Sequence, residues 1–192
     1  VGPDGLREKD IVLDVALRLG KSLEKSGYNV IYTRDSDVFI SLDERTVIAN
    51  QRDADMFVSI HANASPTKAA RGMETYLLNW TDDEEAIKVA ARENAISIEK
   101  MKASRSELGF ILASLELQNK RDESLKLANY IQNDTVSGLR EKYRKVVDLG
   151  VKQALFYVLV GAKMPSVLVE VSFITNPEEA VRLKSPAYRE NV

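Results

Sequence analysis

Apolar residues recur at helical spacing in three long stretches of the chain, with charged residues on the opposite face. These stretches run over Leu6–Ser26, Ser41–Arg52 and Glu123–Tyr143, and their spacing predicts amphipathic helices. In the second stretch, Ser41 and Glu44 have the spacing of a capping box, which places the start of that helix at Ser41. We expect the apolar residues of these helices to face the core, including Leu19, Leu23, Val47, Leu125, Leu127 and Ile131.

Between the helices lie short runs rich in β-branched and aromatic residues, which are typical of strands. The predicted strands are Tyr28–Thr33, Asp55–Ile60, Gly72–Leu78, Ala154–Leu159 and Ser166–Phe173. Helices alternate with the first of these strands, and short helical crossovers favour parallel pairing. The pattern therefore predicts an α/β fold built on a mainly parallel sheet.

A helical block separates the strand-bearing portions of the chain. It opens on Asp82–Glu85, where acidic residues suit a helix N-terminus, and helical patterning continues to Ala95. A second apolar stripe follows over Leu108–Leu117. Near the C-terminus, Asn176 and Pro177 have the order expected of an N-cap and a first helical residue, so we expect a further helix there.

Composition places the chain among ordinary globular domains. Its 192 residues are 44% hydrophobic and 29% charged, which suits one domain with its own core. The net charge of −2 argues against nucleic-acid binding, no apolar run is long enough to cross a membrane, and the lack of cysteine excludes disulfides and thiolate metal sites. Val1 is not an initiator residue and the last residues resemble an interrupted helix, so we expect a domain truncated at both ends.

Three residues are candidates for a shared site. His61, the single histidine, follows a predicted strand, at the edge where α/β sheets bind ligands. Glu170 interrupts an apolar strand, where an unpaired carboxylate is costly, and Glu8 lies in the first turn of a helix. Each also has a structural explanation: a histidine satisfied in the core or at the surface, a strand end that reaches solvent, and an acidic residue favoured by the helix dipole. Composition and spacing leave both explanations open.

Six short motifs that include these residues occur in order along the chain. They are Gly5-Leu6-Arg7-Glu8-Lys9-Asp10, Tyr32-Thr33-Arg34-Asp35, Leu42-Asp43-Glu44-Arg45 with Ile48-Ala49-Asn50, Ser59-Ile60-His61-Ala62-Asn63-Ala64, Gly72-Met73-Glu74-Thr75-Tyr76 and Val169-Glu170-Val171-Ser172-Phe173-Ile174-Thr175-Asn176. Together they resemble the zinc-dependent N-acetylmuramoyl-L-alanine amidases of the amidase-3 type, which are peptidoglycan hydrolases. The resemblance covers residues 1–192 as one domain.

The resemblance implies a parallel-sheet α/β fold with helices on both faces and a Zn²⁺ ion held by two histidines and a glutamate. By motif match, Glu8 and His61 are ligands and Glu170 is the catalytic base. The second histidine belongs to a Gly-His-Gly-like turn after a first strand, and both would precede Val1 and are missing from this chain. We therefore expect a trimmed fragment of an active enzyme. Ligand imidazoles commonly donate their other N–H to a neighbouring acceptor, and Asn63 and Glu74 are candidates for that acceptor.

An insertion over about residues 82–121 resembles that of amidases acting in daughter-cell separation. There, an inserted helix covers the zinc site until a LytM-type activator moves it. We expect this insertion to be autoinhibitory and Glu93 to be the carboxylate that occupies the open zinc position; a passive helical hairpin is the alternative. The resemblance also implies a periplasmic or other extracytoplasmic location and a role in septal wall splitting.

Two other functions compete with the amidase. In the first, the domain has lost its metal and binds peptidoglycan or a partner protein. In the second, it is a zinc exopeptidase-like hydrolase acting on free peptides, because related sheets host that chemistry and a fold alone does not fix a function.

Overall fold

Four strands form the central sheet of the computed structural model, which describes residues 2–104 and 115–192, without the side chains of residues 115–119. The strands are β1 (Phe57–Asn63), β2 (Met73–Leu78), β3 (Asp148–Ala154) and β4 (Ser166–Phe173), in the order β1-β4-β2-β3. β1 pairs with β4 and β2 with β3 in parallel, whereas β2 and β4 are antiparallel. The expected mainly parallel sheet is confirmed. The antiparallel pair arises because only residues 64–72 join β1 to β2, too few for a helical crossover.

Helices cover both faces of this sheet, as expected. They are α1 (Glu8–Lys25), α2 (Leu42–Gln51), α3 (Glu84–Glu93), α4 (Ile98–Ala103), α5 (Leu115–Lys142), α6 (Pro177–Lys184) and α7 (Pro186–Asn191). α2, α3 and α4 supply the apolar cluster on one face, and α1, α5, α6 and α7 supply the cluster on the other. None of the helices among the described residues is long and apolar enough to span a bilayer.

Local end signals predicted several helix boundaries correctly. Both the main-chain N–H and the hydroxyl of Ser41 donate to Glu44 at the start of α2. At α6, the Asn176 side chain accepts hydrogen bonds from the amides of Glu178 and Glu179, and Pro177 is the first helical residue. The short helix α4, which the sequence pattern did not predict, is also capped by a side chain, that of Ser97.

Two predicted strands are wrong. Tyr28–Thr33 lies outside the described strands, and β3 ends at Ala154, the residue at which the predicted strand Ala154–Leu159 begins. The residues after Ala154 instead enter a short 3₁₀ turn, Tyr157–Leu159, whose apolar side chains are buried against α2 and α3. A short apolar run has the same pattern in a buried turn as in a buried strand, so periodicity could not separate them.

The helices bury narrower stripes than their apolar residues suggested. Leu19 and Leu23 of α1 and Val47 of α2 are exposed, and Leu125 of α5 is 40% exposed, against expectation; Leu127 and Ile131 pack partly against the core. The stripe of α5 that does face the sheet consists of Ser124, Ala128, Gln132, Val136 and Leu139. Gln132 is polar but satisfied: its side chain accepts a hydrogen bond from the Thr75 hydroxyl and donates to Met73 O and Asp148 Oδ1. The apolar stripe expected over Leu108–Leu117 lies outside the residues whose side chains are described.

The ring of Tyr32 packs against α1 at Gly20. A Cβ at this position would lie 1.8 Å from Oη and 2.5 Å from Cζ of Tyr32. We expect Gly20→Ala to lower the free energy of unfolding by ~1–3 kcal/mol, because the ring must move. Gly138 is the matched control, since nothing lies within 4 Å of its Cβ position. Gly138→Ala should raise the free energy of unfolding by ~0.5–1 kcal/mol, because alanine favours the helix. Urea denaturation of both variants measures the two effects, and stabilisation of both would show that Tyr32 does not constrain α1.

Candidate functional site

Three ionisable side chains lie in one row across the sheet. Glu170 on β4 is the register partner of His61 on β1 and also of Glu74 on β2. Register partners project from the same face of a sheet, so the three side chains share one face. Glu8 joins them from the first turn of α1, where its Oε1 accepts a hydrogen bond of 3.1 Å from the amide of Ala62. The residues selected from the sequence are thus brought together by strand register and by the start of α1.

A group of three potential metal ligands forms around His61. Its Nδ1 lies 3.3 Å from Glu8 Oε1 and 2.9 Å from Glu93 Oε2, and the three ligand atoms lie within 4.8 Å of one another. Neither carboxylate oxygen is aligned for a hydrogen bond with the buried Nδ1. An ion bound tetrahedrally at ~2.0–2.2 Å would separate its ligand atoms by ~3.4 Å, and imidazole and carboxylate are donors that zinc accepts. The residues present therefore fit a zinc ion, although they include one histidine instead of two.

The electrostatics of His61 are dominated by its acidic neighbours. Burial lowers the pKa of the imidazole, but the adjacent carboxylates of Glu8 and Glu93 and the charge of Glu170 outweigh it and raise the pKa to about 10. The ring is therefore an imidazolium at neutral pH in the metal-free protein. A metal ion binds only the neutral ring, so binding at Nδ1 must displace a proton.

Glu170 is the least satisfied polar group of the site. Its side chain is 0% exposed, and neither carboxyl oxygen has a hydrogen-bond partner among the described residues. Burial, reinforced by the charge of Glu93, raises the pKa of Glu170 well above its ordinary value, which favours the neutral carboxyl. Buried carboxyls without partners are costly and concentrate at functional sites.

The neighbours of His61 differ from those expected. The hydroxyl of Ser59 lies 3.1 Å from Nε2, the ring nitrogen that faces away from Glu8 and Glu93. Asn63 and Glu74, the two acceptors named from the sequence, instead bind each other through a 2.7 Å hydrogen bond, and Lys152 closes an ion pair with Glu74 at 2.6 Å. Ser59 was missed, although it lies two residues before His61 on the same strand face, which is the signal that could have found it.

Helix α3 brings Glu93 to His61. One face of α3 is buried in the core through Ala86, Ile87, Val89, Ala90 and Ala91. Beyond that face, Arg92 donates to Asn63 Oδ1 at 2.8 Å and to the carbonyl oxygen of Ala64. The chain after α3 is fixed by Asn94, which bonds to Leu155 and Tyr157. The position of Glu93 therefore follows from extensive packing of its helix.

A further buried carboxylate, Glu179, fixes the end of β4 and was not identified from the sequence. Its oxygens accept hydrogen bonds from Gly72 N at 2.8 Å, Phe173 N at 2.6 Å and the hydroxyl of Ser172 at 2.9 Å. It thereby ties the start of β2 and the end of β4 to α6. These are the segments that flank Glu74 and Glu170, so Glu179 helps to set their positions.

Comparison with known proteins gives consistent matches over the whole chain. A family profile described as N-acetylmuramoyl-L-alanine amidase matches residues 1–192. The chain is 35% identical to the amidase AmiC of Neisseria meningitidis serogroup B, covering 98% of this chain and 45% of that protein. It is 33% identical to AmiA of Escherichia coli, covering 100% of this chain and 66% of that protein. The chain thus spans less than two thirds of the length of these relatives.

Solved structures share the fold. AmiC2 of Nostoc punctiforme, an N-acetylmuramoyl-L-alanine amidase, superposes with a TM-score of 0.66 at 27% identity, covering 99% of this chain and 80% of that structure. An N-acetylmuramoyl-L-alanine amidase from Clostridium difficile 630 superposes with a TM-score of 0.70 at 26% identity, covering 98% of this chain and 78% of that structure.

Proposed function

Because the chain belongs to the N-acetylmuramoyl-L-alanine amidase family, we propose that it forms the catalytic part of a zinc-dependent hydrolase. Its substrate is the amide between N-acetylmuramic acid and L-alanine in peptidoglycan. The observation that carries this proposal is the register of His61 beside the buried, unpartnered Glu170. A potential metal ligand and a potential proton acceptor then lie side by side on neighbouring strands.

Glu8 and His61 are the residues of this chain that hold the zinc ion in the active arrangement. The family resemblance implies a second histidine ligand beside them. When bound, the zinc ion polarises the substrate carbonyl and lowers the pKa of a water molecule. Ser59, 3.1 Å from Nε2, orients the His61 ring, and Ala62 N holds the Glu8 carboxylate in place.

Glu170 is the base that accepts a proton from the attacking water and delivers it to the leaving amine. This role requires an ionised carboxylate. In the covered site, burial and the charge of Glu93 raise the pKa of Glu170 and so favour the neutral carboxyl. Exposure of Glu170 to water on movement of α3 lowers its pKa toward the ordinary value, so uncovering the site also generates the base.

α3 is the autoinhibitory element of an insertion over about residues 82–121. Two observations support this role: Glu93 Oε2 lies 2.9 Å from Nδ1 of His61, where it occupies a metal-ligand position, and Glu170 is fully covered. An activator of the LytM type, docking on the insertion, would withdraw α3. We place the protein in the periplasm or elsewhere in the cell envelope, where peptidoglycan is found, and in septal wall splitting.

Metal analysis and a hydrolysis assay on the full-length protein test the proposal together. We expect about one zinc ion per chain, and release of stem peptides with a new N-terminal alanine from purified sacculi. A chelator should abolish release and added zinc should restore it, because the ion supplies the reactive water. His61→Ala should lose the metal, whereas Glu178→Gln, an exposed carboxylate on α6, should retain it. Sacculus binding without zinc and without peptide release would favour the metal-free binding module.

A further inference from the structure

Two motifs of the sequence remain without a role in the proposed site, the one around Arg34 and the one on α2 that contains Arg45 and Asn50. Asn50 has a structural role, because its side chain donates a hydrogen bond to Gly161 O at 2.8 Å and accepts one from Lys163 N at 2.9 Å. Arg34, from the preceding motif, also has one, through hydrogen bonds to Ser36 O and Lys9 O. Arg45 differs: its hydrogen bond among the described residues is a single one, from Nε to Ile40 O at 3.3 Å. The planar end of its guanidinium is left open.

The chain geometry directs Arg45 toward the site. Only residues 52–56 join α2 to β1. Such a short connection favours opposite directions for the helix and the strand, which would bring the first turn of α2 toward the edge where β1 carries His61. Arg45 also lies one helical turn before Ala49, which is buried in the same apolar cluster as Ala90 of α3. The Arg45 side chain is half-buried, and the carboxylates of Glu8 and Glu93 are near enough to act on its charge.

The charges around Arg45 agree with this placement. Burial lowers the pKa of its guanidinium, as does the nearby charge of Arg34, whereas the carboxylates of Glu8 and Glu93 raise that pKa. Those carboxylates make their close ion pairs with His61 and Arg92 instead. Arg45 thus lies near Glu8 and Glu93 of the metal-ligand group, but among the described residues it forms no ion pair with either. In the covered arrangement, Glu93 is one of the two carboxylates that act on the charge of Arg45, and it leaves when α3 moves.

We propose that Arg45 binds a carboxylate of the stem peptide and so selects substrates that carry a negative charge beside the scissile amide. This inference rests on the proposed function. Guanidinium binds carboxylates through two parallel N–H···O bonds, and the free end of Arg45 offers that fork. Glu93 then resembles the substrate in charge: it occupies the surroundings of His61 and Arg45 that a peptide carboxylate enters in the open enzyme.

Kinetics with two soluble muramoyl-peptides test the assignment, one with free stem-peptide carboxylates and one with those carboxylates amidated. We expect Arg45→Gln in the full-length protein to raise KM for the free carboxylate substrate roughly tenfold or more, with little change in kcat. The amidated substrate should be unaffected. Arg45→Lys should recover part of the loss, and Arg52→Gln, which removes an exposed guanidinium at the other end of α2, should change neither substrate.

Equal losses on both substrates, or a fall in kcat alone, would overturn the assignment, because they would indicate a role in folding or in stabilising the reacting carbonyl. If the wild-type protein turns over neither substrate, the proposed function fails instead. Equilibrium binding of the two muramoyl-peptides to Glu170→Gln then still decides the role of Arg45. A preference for the free carboxylate that disappears in the Glu170→Gln, Arg45→Gln double variant supports it, and equal binding of the two peptides overturns it.

Discussion

Glu170→Gln should abolish peptide release by the full-length protein while leaving the fold intact. The amide has the shape of the carboxyl but cannot accept the proton of the attacking water, and positioned bases contribute about 100- to 10,000-fold to rates. Zinc content should be unchanged, because Glu170 lies beside the ligands and outside the Glu8, His61 and Glu93 group. Glu178→Gln, the same substitution at an exposed position, should retain full activity. Full activity of Glu170→Gln would show that another residue is the base.

The same variant should gain stability relative to the wild type as the pH rises. The pKa of Glu170 is raised in the folded protein, mainly by burial, from an ordinary value of 4.5. Above that value the unfolded chain loses a proton that the folded protein keeps, so the wild-type free energy of unfolding falls with pH. Glutamine has no such dependence. The pKa of His61 rises from 6.5 to about 10 on folding, so its contribution to stability is nearly constant below pH 6. Urea denaturation of the metal-free proteins at pH 4.5 and at pH 6 should therefore show the stability difference widening in favour of Glu170→Gln.

Glu93→Ala should raise basal peptide release in the absence of any activator. The substitution removes the carboxylate 2.9 Å from His61 Nδ1 and lowers the negative charge beside Glu170. Coupling free energies between a regulatory element and a site are ~1–3 kcal/mol, so we expect a roughly 5- to 150-fold increase. The lower end is the better expectation, because the apolar face of α3, including the fully buried Ala90, still holds the helix in place.

Glu84→Ala is the matched control for this experiment. Glu84 is an exposed glutamate in the first turn of the same helix, so its loss alters helix charge without touching the site. We expect the Glu84→Ala variant to release peptide at the basal rate of the wild type. Hydrogen exchange gives a second readout: Glu93→Ala should increase exchange in α3 and Glu84→Ala should not. Unchanged basal release from Glu93→Ala, with zinc content retained, would show that α3 is a passive cover.

Local chemistry explains the parts of the fold that the sequence predicted. Ser41 with Glu44 and Asn176 with Pro177 place helix starts through contacts within three residues, so their signals survive any tertiary arrangement. The apolar strand around Glu170 could also be predicted from the sequence. Every position of β4 is buried, and most of its residues are accordingly apolar. The residues of the candidate site were found by motif order.

The tertiary structure alone decided which extended segments pair and which residues meet. Tyr28–Thr33 and Ala154–Leu159 have strand composition, yet strand formation needs a hydrogen-bonded neighbour that composition does not specify. The partners of His61 arise from strand register and from the packing of α3, and Glu179 reaches the end of β4 and the start of β2 from a helix that begins after β4. Such contacts join residues far apart in the chain, and their positions depend on how all the layers pack. The sequence by itself determined the kinds of element and the chemistry available, whereas packing determined that Glu93 faces His61, that Glu170 is sealed from water and that Arg45 retains an open guanidinium.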